Sequence, residues 1–484
     1  MKRRKVMISA AAAAAAALLL GGCGKEKGGL DSENPVTIEV HTYYNGAHKI
    51  AFDELVTEFN NTVGSEKGIF VKHISSGDLN ELLGSLEFEL SKPEDERELS
   101  DLFCCYSATA QKFEEQDLLV DLDEWFSEEE LSKYLDAYIE EGRMGSEQSL
   151  TLFPTAKSTE VLTVNTTDWE SFASDTGAAL KDLSTWEGVA ATAETYYEWT
   201  DAKTDTPNDG KAMFGMDAFA NFVLTGTHQL GADLFEVKDD GTAELNMDKE
   251  ALRRIWDMYY VPYISGYYAE YGRFRSDDMK TGDLIASVGS SSGASYMPTE
   301  VTVGDAEPYA IETEELAVPR FEGADPVAVQ QGAGMVVSKS DAVREEAAVT
   351  FLKWFTDSYV NTRFCIQSSY LPVKKEANKI SFIEDVVEKE DLEWNEEIRR
   401  TMEVSFEEST QYELYTMPVF KGSDTCRTVI GNSLREKAAA DREQVKTRLA
   451  EGNQPLKEIV GEFDTDEQFD TWCEEFEQQL KENL

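Results

Sequence analysis

The sequence predicts an α/β protein built from two domains, and three observations lead to this fold class. Strand-like and helix-like segments alternate through the first third of the chain, which is typical of a largely parallel sheet covered by helices. The chain has 484 residues, more than one hydrophobic core accommodates. Its last part is mostly helical and highly acidic. We therefore expect two α/β domains with a helical C-terminal part.

The N-terminal segment is predicted to be an export signal and not part of the fold. Four basic residues, Lys2 to Lys5, precede an uninterrupted apolar run from Val6 to Leu20, which is too short to span a bilayer comfortably. The small residues Gly21 and Gly22 follow it. The sequence contains no second apolar span of this kind.

The end of this segment, Leu20-Gly21-Gly22-Cys23, resembles the lipobox of bacterial lipoproteins. The resemblance implies cleavage before Cys23 and a diacylglycerol on its thiol, and two or three acyl chains hold a protein on a membrane. We expect residues 1–22 to be a lipoprotein signal peptide and residues 23–35 to be a flexible tether on the outer face of the bacterial cell membrane. The alternative is a soluble secreted protein with an incidental cysteine.

The charge of the chain excludes one broad class of function. It has 94 acidic and 45 basic residues, which gives a net charge of −49. Binding to nucleic acids or to anionic lipid surfaces needs clusters of Lys and Arg. We therefore exclude nucleic-acid binding and attribute the acidity to a solvated surface.

The spacing of the cysteines indicates neither a disulfide framework nor a zinc site. Six cysteines include Cys23, which leaves an odd number, and no Cys-x-x-Cys occurs. Cys104 and Cys105 lie in an apolar run, so we expect them to be small core residues. The sequence predicts no metal and no cofactor.

The elements of the first domain follow from the spacing of apolar residues. Alternation with a period of two indicates a strand, spacing of three and four indicates a helix, and an uninterrupted apolar run indicates a buried parallel strand. These patterns predict strands at Val36–Val40, Ile69–Ile74 and Leu102–Tyr106, with helices at Phe52–Val63 and Leu79–Leu90 between them.

The same patterns and two helix-start signals divide the rest of the chain. Capping boxes predict helix starts at Ser127 with Glu130 and at Ser184 with Glu187. The stretch Met213–Tyr268 is predicted to be mainly helical. Further strands are predicted at Leu150–Phe153, Val161–Asn165, Leu284–Val288 and Val336–Ser338, and a helix at Ala342–Phe355.

Four stretches in this order resemble the extracellular solute-binding proteins of bacterial ABC importers, family 1, the carbohydrate-type group. They are Asp101-Leu102-Phe103 with Leu118 to Leu122, Leu152-Phe153-Pro154 through Asn165 to Thr185-Trp186, Lys280 to Ala286, and Ala317-Val318-Pro319 with Gly332-Ala333-Gly334 and Tyr370-Leu371-Pro372-Val373. Together they cover nearly the whole chain after the signal. The order and spacing of the four stretches are more specific to this family than any single stretch is.

The resemblance implies a two-lobed periplasmic-binding-protein-like fold of type II, with the ligand in the cleft between the lobes. Lobe 1 is expected at 36–140 plus about 284–318, and lobe 2 at about 150–283 plus 319–484. The implied function is a monomeric substrate-binding lipoprotein that captures a mono- or oligosaccharide and passes it to ABC permease subunits.

A sugar-binding cleft needs aromatic faces for the ring and short polar side chains for the hydroxyls. Loops after strand ends collect such groups. By position and resemblance, the candidates are Tyr43, Tyr44, Asp78, Tyr106, Ser107, Ser158, Thr159, Glu160, Ser291 and Ser292, and Gly332, Tyr370 and Arg427 are added by resemblance alone. The alternatives are core or surface tyrosines, turn and cap residues for Asp78 and Ser158–Glu160, a flexible linker at 289–293 and a helix-surface cation for Arg427.

One subgroup of the family suggests a different ligand, glycerol-3-phosphate or a glycerophosphodiester. Ser158, Ser291 or Ser292, Gly332, Tyr370 and Arg427 stand where that subgroup has its ligand contacts. The chain departs from the subgroup at Leu79, where a tyrosine is usual, and at Tyr106, where a glutamate is usual. A sugar therefore remains the first predicted ligand.

An enzyme, such as a lipid-anchored hydrolase, is the alternative from another class. The chain has four histidines, His41, His48, His73 and His228, and none of them forms a His-Glu-x-x-His motif. The sequence also has no Walker-type loop. A glycosidase pair of carboxylates is neither visible nor excluded in so acidic a chain. We predict a binding protein without catalytic residues.

Overall fold

The computed structural model describes residues 29–145, 147–238, 241–392, 394–452 and 454–484. The predicted signal peptide, Cys23 and the first part of the predicted tether lie outside these residues. Among the described helices, none combines the length and the apolar character needed to cross a membrane.

Most of the longer strands in the described residues belong to two sheets, one in each half of the molecule. The strands are β1 (Val36–Thr42), β2 (Ile69–Ser75), β3 (Leu102–Cys105), β4 (Arg143–Met144), β5 (Ser149–Leu150), β6 (Leu152–Phe153), β7 (Glu160–Asn165), β8 (Phe214–Met216), β9 (Phe235–Val237), β10 (Ala243–Leu245), β11 (Ala286–Ser290), β12 (Glu300–Val301), β13 (Tyr309–Ala310), β14 (Thr313–Ala317), β15 (Val327–Val329), β16 (Gly334–Val337) and β17 (Glu413–Tyr415).

Helices cover both sheets and dominate the C-terminal part. They are α1 (Gly46–Asn61), α2 (Val63–Lys67), α3 (Leu79–Ser91), α4 (Ser107–Glu114), α5 (Glu128–Leu131), α6 (Asp136–Glu140), α7 (Thr166–Thr176), α8 (Trp186–Asp201), α9 (Phe219–Gln229), α10 (Lys249–Ser265), α11 (Arg275–Lys280), α12 (Ala342–Phe355), α13 (Ser358–Ser368), α14 (Ile380–Glu390), α15 (Glu396–Gln411), α16 (Ser423–Ala450), α17 (Leu456–Phe463) and α18 (Asp466–Lys481).

The first sheet has the strand order β2-β1-β3-β16-β6. Its first three strands are parallel, with Val36 opposite Ile69 and Val40 opposite Leu102, and β16 runs antiparallel to β3. Side chains alternate between the faces of a strand, so Ile38 and Val40 of β1 are both fully buried on one face. The predicted α/β class with parallel strands in its first part is confirmed.

The helices of the first lobe pack through aromatic side chains on their buried stripes. Phe52 of α1 lies 5.2 Å from Phe355 of α12 between ring centroids, and Phe59 of α1 lies 5.1 Å from Phe351. The predicted helical spacing of these residues explains the shared face, because positions three and four apart lie on one side of a helix. Cys104 and Cys105 are fully buried in β3 and carry free thiols, as predicted.

The second sheet has the strand order β14-β7-β11-β8. In it β7 runs antiparallel to both neighbours, whereas β11 and β8 are parallel. One continuous apolar core joins this sheet to the C-terminal helices and includes Trp186, Trp256, Trp472 and Phe476. The helical C-terminal part is therefore mainly a covering layer of the second lobe.

The expected division of the chain between the lobes needs a correction at 284–318. In this segment Ala286 of β11 pairs with Val164 of β7, and Thr313 of β14 pairs with Asn165 on the other side of the same strand. The segment therefore belongs to the second sheet. The part of 319–484 that begins at β16 and includes α12 and α13 joins the first lobe instead. An apolar strand pattern does not reveal which sheet the strand enters. The prediction from the sequence therefore assigned both segments to the wrong lobe.

Two local predictions also differ from the structure. The stretch 213–268 is not only helical, because β8 at its start pairs with β11 through Met216 and Val288. The second capping box does not form; instead Thr185 caps α8 by accepting a hydrogen bond of 3.1 Å from the Gly188 N–H. The first capping box forms at Ser127 as predicted, although its helix ends at Leu131.

Asp101, directly before β3, ties the first sheet to α12. Its carboxylate accepts two hydrogen bonds from Arg344, of 2.7 and 2.8 Å, and one of 2.8 Å from the Glu39 N–H. Only 3% of Asp101 is exposed. Removing its carboxylate leaves a buried N–H and a guanidinium without their acceptor, which costs more than the pair itself contributes.

We expect Asp101→Ala to lower the free energy of unfolding by about 3 kcal/mol. The measurement is urea denaturation followed by intrinsic fluorescence. Asp136→Ala is the control, because Asp136 is an exposed acid whose pair with Lys375, 2.7 Å long, lies in solvent. A loss for Asp101→Ala no larger than that of the control would show that the contact does not stabilise the lobe.

Candidate functional site

A cavity of about 760 Å³ lies between the two sheets. Its volume lies within the range of roughly 300–1,000 Å³ that is usual for small-molecule sites. Side chains from both lobes line it, and the strand ends position several of them. Tyr106 directly follows β3, Ser290 ends β11 and Asp217 follows β8. These are carboxyl ends of strands, where ligands of open α/β sheets bind.

The chain crosses between the lobes beside this cavity. One crossing leads from β6 to β7, a second leads from β15 to β16, and another leads from α15 to β17. Where the first two meet, Ser158 and Gln331 exchange backbone hydrogen bonds of 3.0 and 2.8 Å. Lys157 and Leu371 are bridged in the same way. These crossings form the floor of the cavity through Ser158, Gln331 and Gly332.

Tyrosine and serine hydroxyl groups cluster at the cavity. The Tyr43 and Tyr370 hydroxyls share a hydrogen bond of 2.9 Å. Across the crossing, the Ser290 hydroxyl donates to Ser158 over 3.3 Å and shares a bond of 2.9 Å with Ser292. Burial raises the pKa of both Tyr43 and Tyr370, so both phenols stay protonated and can donate as well as accept. The cluster therefore suits a ligand rich in hydroxyl groups.

Aromatic and apolar faces complete the lining. Tyr106 is 44% exposed and lines the cavity. Phe219, Tyr415 and Met417 line the wall formed by the second lobe. A flat aromatic face next to hydroxyl donors is the combination that binds the apolar side of a sugar ring together with its polar edge.

The carboxylates that line the cavity are held by basic side chains. Glu141 pairs with the buried Lys157, and Asp217 pairs with Arg275 over 3.5 Å. Asp424 and Glu87 share the Lys112 ammonium, at 2.8 and 2.9 Å. Since Lys112 lies on α4 of the first lobe and Asp424 on α16 of the second, this ion pair joins the two lobes.

The two arginines of the cavity differ in their partners. Arg435 is neutralised by Glu270 at 2.6 Å. Arg427 donates instead to the neutral amide of Asn221, and no carboxylate among the described residues lies within ion-pair distance of its guanidinium. Asn221 in turn donates to Glu160 over 2.9 Å. Arg427 therefore keeps its positive charge available to the cavity.

Two buried glutamates lie at the crossings. Burial raises the pKa of Glu160 to about 7, an effect that the hydrogen bond from Asn221 partly offsets. Burial also raises the pKa of Glu408 on α15 to about 8, although its carboxyl accepts a hydrogen bond of 2.8 Å from the Val318 N–H. Both side chains are buried where the lobes join.

The structure brings most of the predicted ligand residues to this one cavity. Those that line it are Tyr43, Tyr106, Ser107, Ser158, Ser292, Gly332, Tyr370 and Arg427. Gly332 has a φ of 96°, and a Cβ there would lie 2.6 Å from the Ala156 carbonyl oxygen, so this crossing needs glycine. The contacts of these residues with a ligand remain predictions.

The other predicted residues do not line the cavity. Tyr44 is a core residue whose ring lies 5.1 Å from that of Phe364, and Asp78 caps α3 by accepting from the Glu81 N–H. Ser291 accepts a hydrogen bond of 3.1 Å from the Thr159 N–H, and both are buried. Glu160 is buried behind Asn221 and Gln331. In these cases the alternative of core, cap or turn chemistry describes the contacts that the structure shows.

Several lining residues were missed by sequence reasoning. Glu141 and Asp217 lie in short loops whose position depends on the fold, and no local pattern marks them. Asn221 carried a usable signal, because it is a lone amide inside the apolar run Phe219 to Val223. A polar residue at such a position is costly to bury unless it has hydrogen-bond partners.

Comparison with known proteins identifies the family. Residues 54–391 match the model of the family described as bacterial extracellular solute-binding protein. The chain belongs to this family. No curated protein matches the chain by sequence. The resemblance predicted from the four sequence stretches is thereby confirmed.

Solved structures with the same architecture support the fold of this solute-binding protein. The cyclic α-maltosyl-1,6-maltose binding protein from Arthrobacter globiformis is 17% identical, with a TM-score of 0.65 over 93% of this chain and 100% of that one. UgpB from Mycobacterium tuberculosis, solved with glycerophosphocholine, is 17% identical, with a TM-score of 0.62 over 89% and 100%. The GacH receptor of Streptomyces glaucescens, solved unliganded and with acarbose, is 13% identical, with a TM-score of 0.62 over 93% and 99%. At these identities the likeness extends to the fold alone.

The family also fixes the general role. Its members are receptors that bind small-molecule solutes outside the cytoplasm and work with the permeases of ABC transporters. The two-lobed fold and the cavity between the lobes suit this role, because closing two lobes on a solute changes the surface that a permease meets.

The buried glutamates generate a prediction about pH. A folded-state pKa raised above the ordinary 4.5 means that Glu408 contributes stability below pH 4.5, and this is lost as the pH rises through about 8. We expect the Glu408 carboxyl to lower the free energy of unfolding by roughly 2–4 kcal/mol between pH 5 and 8.5, a contribution that Glu408→Gln should remove. Calorimetric melting across this range measures it.

The matched control is Glu403→Gln on the same helix. Glu403 is 39% exposed and pairs with Arg399 over 2.9 Å, so its neutralisation should leave the slope of stability against pH unchanged. An unchanged slope in Glu408→Gln would contradict the assignment of a proton to this buried carboxyl.

Proposed function

We propose that this solute-binding protein captures a carbohydrate, a mono- or oligosaccharide, in the inter-lobe cavity for uptake by an ABC importer. The observation that carries the proposal is the lining of the cavity, which combines the partly exposed Tyr106 ring with the hydroxyls of Tyr43, Tyr370, Ser290 and Ser292. A pyranose presents an apolar face and a rim of hydroxyls, and this lining complements both.

Relatives of the same fold agree with a sugar. The Arthrobacter globiformis protein binds cyclic α-maltosyl-1,6-maltose, and the GacH receptor was solved with acarbose. Both share the architecture over nearly the whole length of this chain. The sharing of a fold raises the expectation of a saccharide, and the cavity chemistry is the independent support for it.

A glycerophosphodiester is the second candidate, and one observation favours it. Arg427 faces the cavity without a carboxylate partner among the described residues, and a guanidinium in that state suits a phosphate oxygen. UgpB, of the same fold, was solved with glycerophosphocholine. Against this ligand, Leu79 begins α3 and does not line the cavity, and Tyr106 supplies a neutral ring instead of an acid.

A calorimetric panel separates the two ligand classes. It contains glucose, maltose, maltotriose, glycerol-3-phosphate and glycerophosphocholine, each at low and high salt. A saccharide should bind with an affinity that salt hardly changes, whereas a phosphate held by Arg427 should bind less tightly at high salt because its charge is screened. If no saccharide binds and a phosphodiester binds in a salt-sensitive way, the glycerophosphodiester replaces the carbohydrate as the proposed ligand.

We also propose that the chain is a receptor without catalysis, in contrast to a lipid-anchored hydrolase. A glycosidase needs a protonated carboxylic acid and a second free carboxylate on either side of the bond, whereas the lining carboxylates Glu141 and Asp217 are paired with Lys157 and Arg275. Incubation with a panel of glycosides should yield bound, unchanged sugar, and any turnover would favour the enzyme.

Stacking on Tyr106 generates a specific prediction. Tyr106→Ala should weaken the binding of a saccharide by about tenfold, because the loss of a stacked ring and its buried area costs on the order of 1.4 kcal/mol. Isothermal calorimetry measures the dissociation constant. Tyr271→Ala is the control, since Tyr271 is 62% exposed and does not line the cavity. Equal affinities in both variants would exclude Tyr106 as a stacking platform.

We further propose that the mature protein is a monomer tethered to the membrane by a lipid on Cys23. The supporting feature is the sequence Leu20-Gly21-Gly22-Cys23 after an apolar run. In a bacterial host, the wild type should enter the membrane fraction and incorporate labelled fatty acid, and Cys23→Ser should do neither. Cys473→Ala, which changes a buried cysteine of the second lobe, should still be labelled. Labelling that survives Cys23→Ser would refute the anchor.

A further inference from the structure

Asn221 is a buried amide in an otherwise apolar helix segment. It lies on α9 between Ala220 and Phe222, and none of its surface is exposed, although it borders the cavity. Burying an unpaired amide costs several kcal/mol, so a residue of this kind is tolerated only where its polar atoms are used. Because it has no exposed surface, it acts on a ligand only through its neighbours.

Both polar atoms of this amide are occupied, and their partners fix its orientation. The Asn221 Oδ1 accepts a hydrogen bond from the Arg427 Nη2, and its Nδ2 donates to the Glu160 Oε1 over 2.9 Å. A guanidinium has only donors, whereas an amide has one acceptor oxygen and one donor nitrogen. The amide oxygen must therefore point to Arg427 and the amide nitrogen to Glu160.

This arrangement separates a cation from an acid that would otherwise neutralise it. Glu160 begins β7 and also accepts a hydrogen bond of 3.4 Å from the Gln331 Nε2, which holds it on the side of the crossings. The other acids that face it are Asp217, after β8, and Glu408, on α15. With the amide between them, Arg427 is anchored through one N–H group, and its other N–H groups remain for other acceptors.

We infer that Asn221 and Glu160 are positioning residues, which hold the Arg427 guanidinium toward the cavity so that it binds an acceptor oxygen of the ligand. The inference rests on the proposed function, because it assumes that a solute occupies this cavity. It applies to a sugar hydroxyl or ring oxygen and equally to a phosphate oxygen, since a guanidinium donates to either.

A double-mutant cycle tests whether Asn221 acts through Arg427. The dissociation constants of maltotriose and of glycerophosphocholine are measured for the wild type, Asn221→Ala, Arg427→Ala and the double variant. For whichever probe the wild type binds, we expect Asn221→Ala to weaken binding by about tenfold. In the Arg427→Ala background, the same substitution should weaken binding by less than about twofold. An equal loss in both backgrounds, or no loss in either, overturns the inference.

Conservative variants separate positioning from simple stability. Glu160→Gln keeps an acceptor oxygen for the amide and should retain binding within about threefold, whereas Glu160→Leu should match Asn221→Ala. Asn60→Ala is the matched control, because Asn60 also uses both amide atoms, on the backbone of Val71 in the first lobe at 2.8 and 2.9 Å. It should lose stability without losing affinity. A loss of affinity in Asn60→Ala equal to that in Asn221→Ala overturns the inference.

A spectroscopic measurement without ligand keeps the inference testable if neither probe binds. In protein labelled with ¹⁵N-arginine, the Arg427 side-chain N–H groups, assigned by their loss in Arg427→Ala, should exchange about tenfold faster with solvent in Asn221→Ala than in the wild type. If the wild type binds neither probe, that result rejects the two proposed ligand classes but not the positioning role. Unchanged exchange at Arg427 would reject the positioning role whatever the ligand is.

Discussion

Ser158 and Gln331 exchange backbone hydrogen bonds where two connections between the lobes run side by side, and the rest of the molecule is arranged around this junction. The connections are short and paired, and the carboxyl ends of β1, β3, β8 and β11 meet at the same gap. Gly332, with its positive φ, lets the second connection pass within contact distance of the first. The cavity is thus formed by the paired connections between the lobes and not by any single loop.

The cost of burying a charge explains the distribution of charge around the cavity. Isolated buried charges are expensive, so a carboxylate at an internal surface needs a basic partner or a proton. At the cavity wall each named acid has a basic partner, as Glu141 has Lys157, while deeper acids such as Glu160 and Glu408 have raised pKa values. Arg427 departs from this rule, since an amide takes the place of an acid beside it.

The sequence predicted the features that depend on residues close together along the chain. It did not predict those that depend on pairing between segments far apart along the chain. The first strands and helices, the buried Cys104 and Cys105 and the cap at Ser127 were all predictable, because apolar spacing and capping are local. The sheet that β11 enters was not, because antiparallel pairing with β7 involves residues more than a hundred positions apart. For the site, positions after strand ends were a sound guide, as Tyr106 shows. Tyr44 and Glu160 are buried outside the cavity, and their burial depends on side chains from distant segments, which no local pattern reveals.

The five thiols of the described residues, Cys104, Cys105, Cys365, Cys426 and Cys473, are all free and buried. Proteins of this family act outside the cytoplasm, where oxidising conditions favour disulfides. In an unfolded chain outside the cytoplasm each thiol would be exposed to oxidants and to wrong partners, whereas the folded core shields all five. The folded core is therefore what protects these thiols from oxidation, and refolding in vitro calls for a reductant.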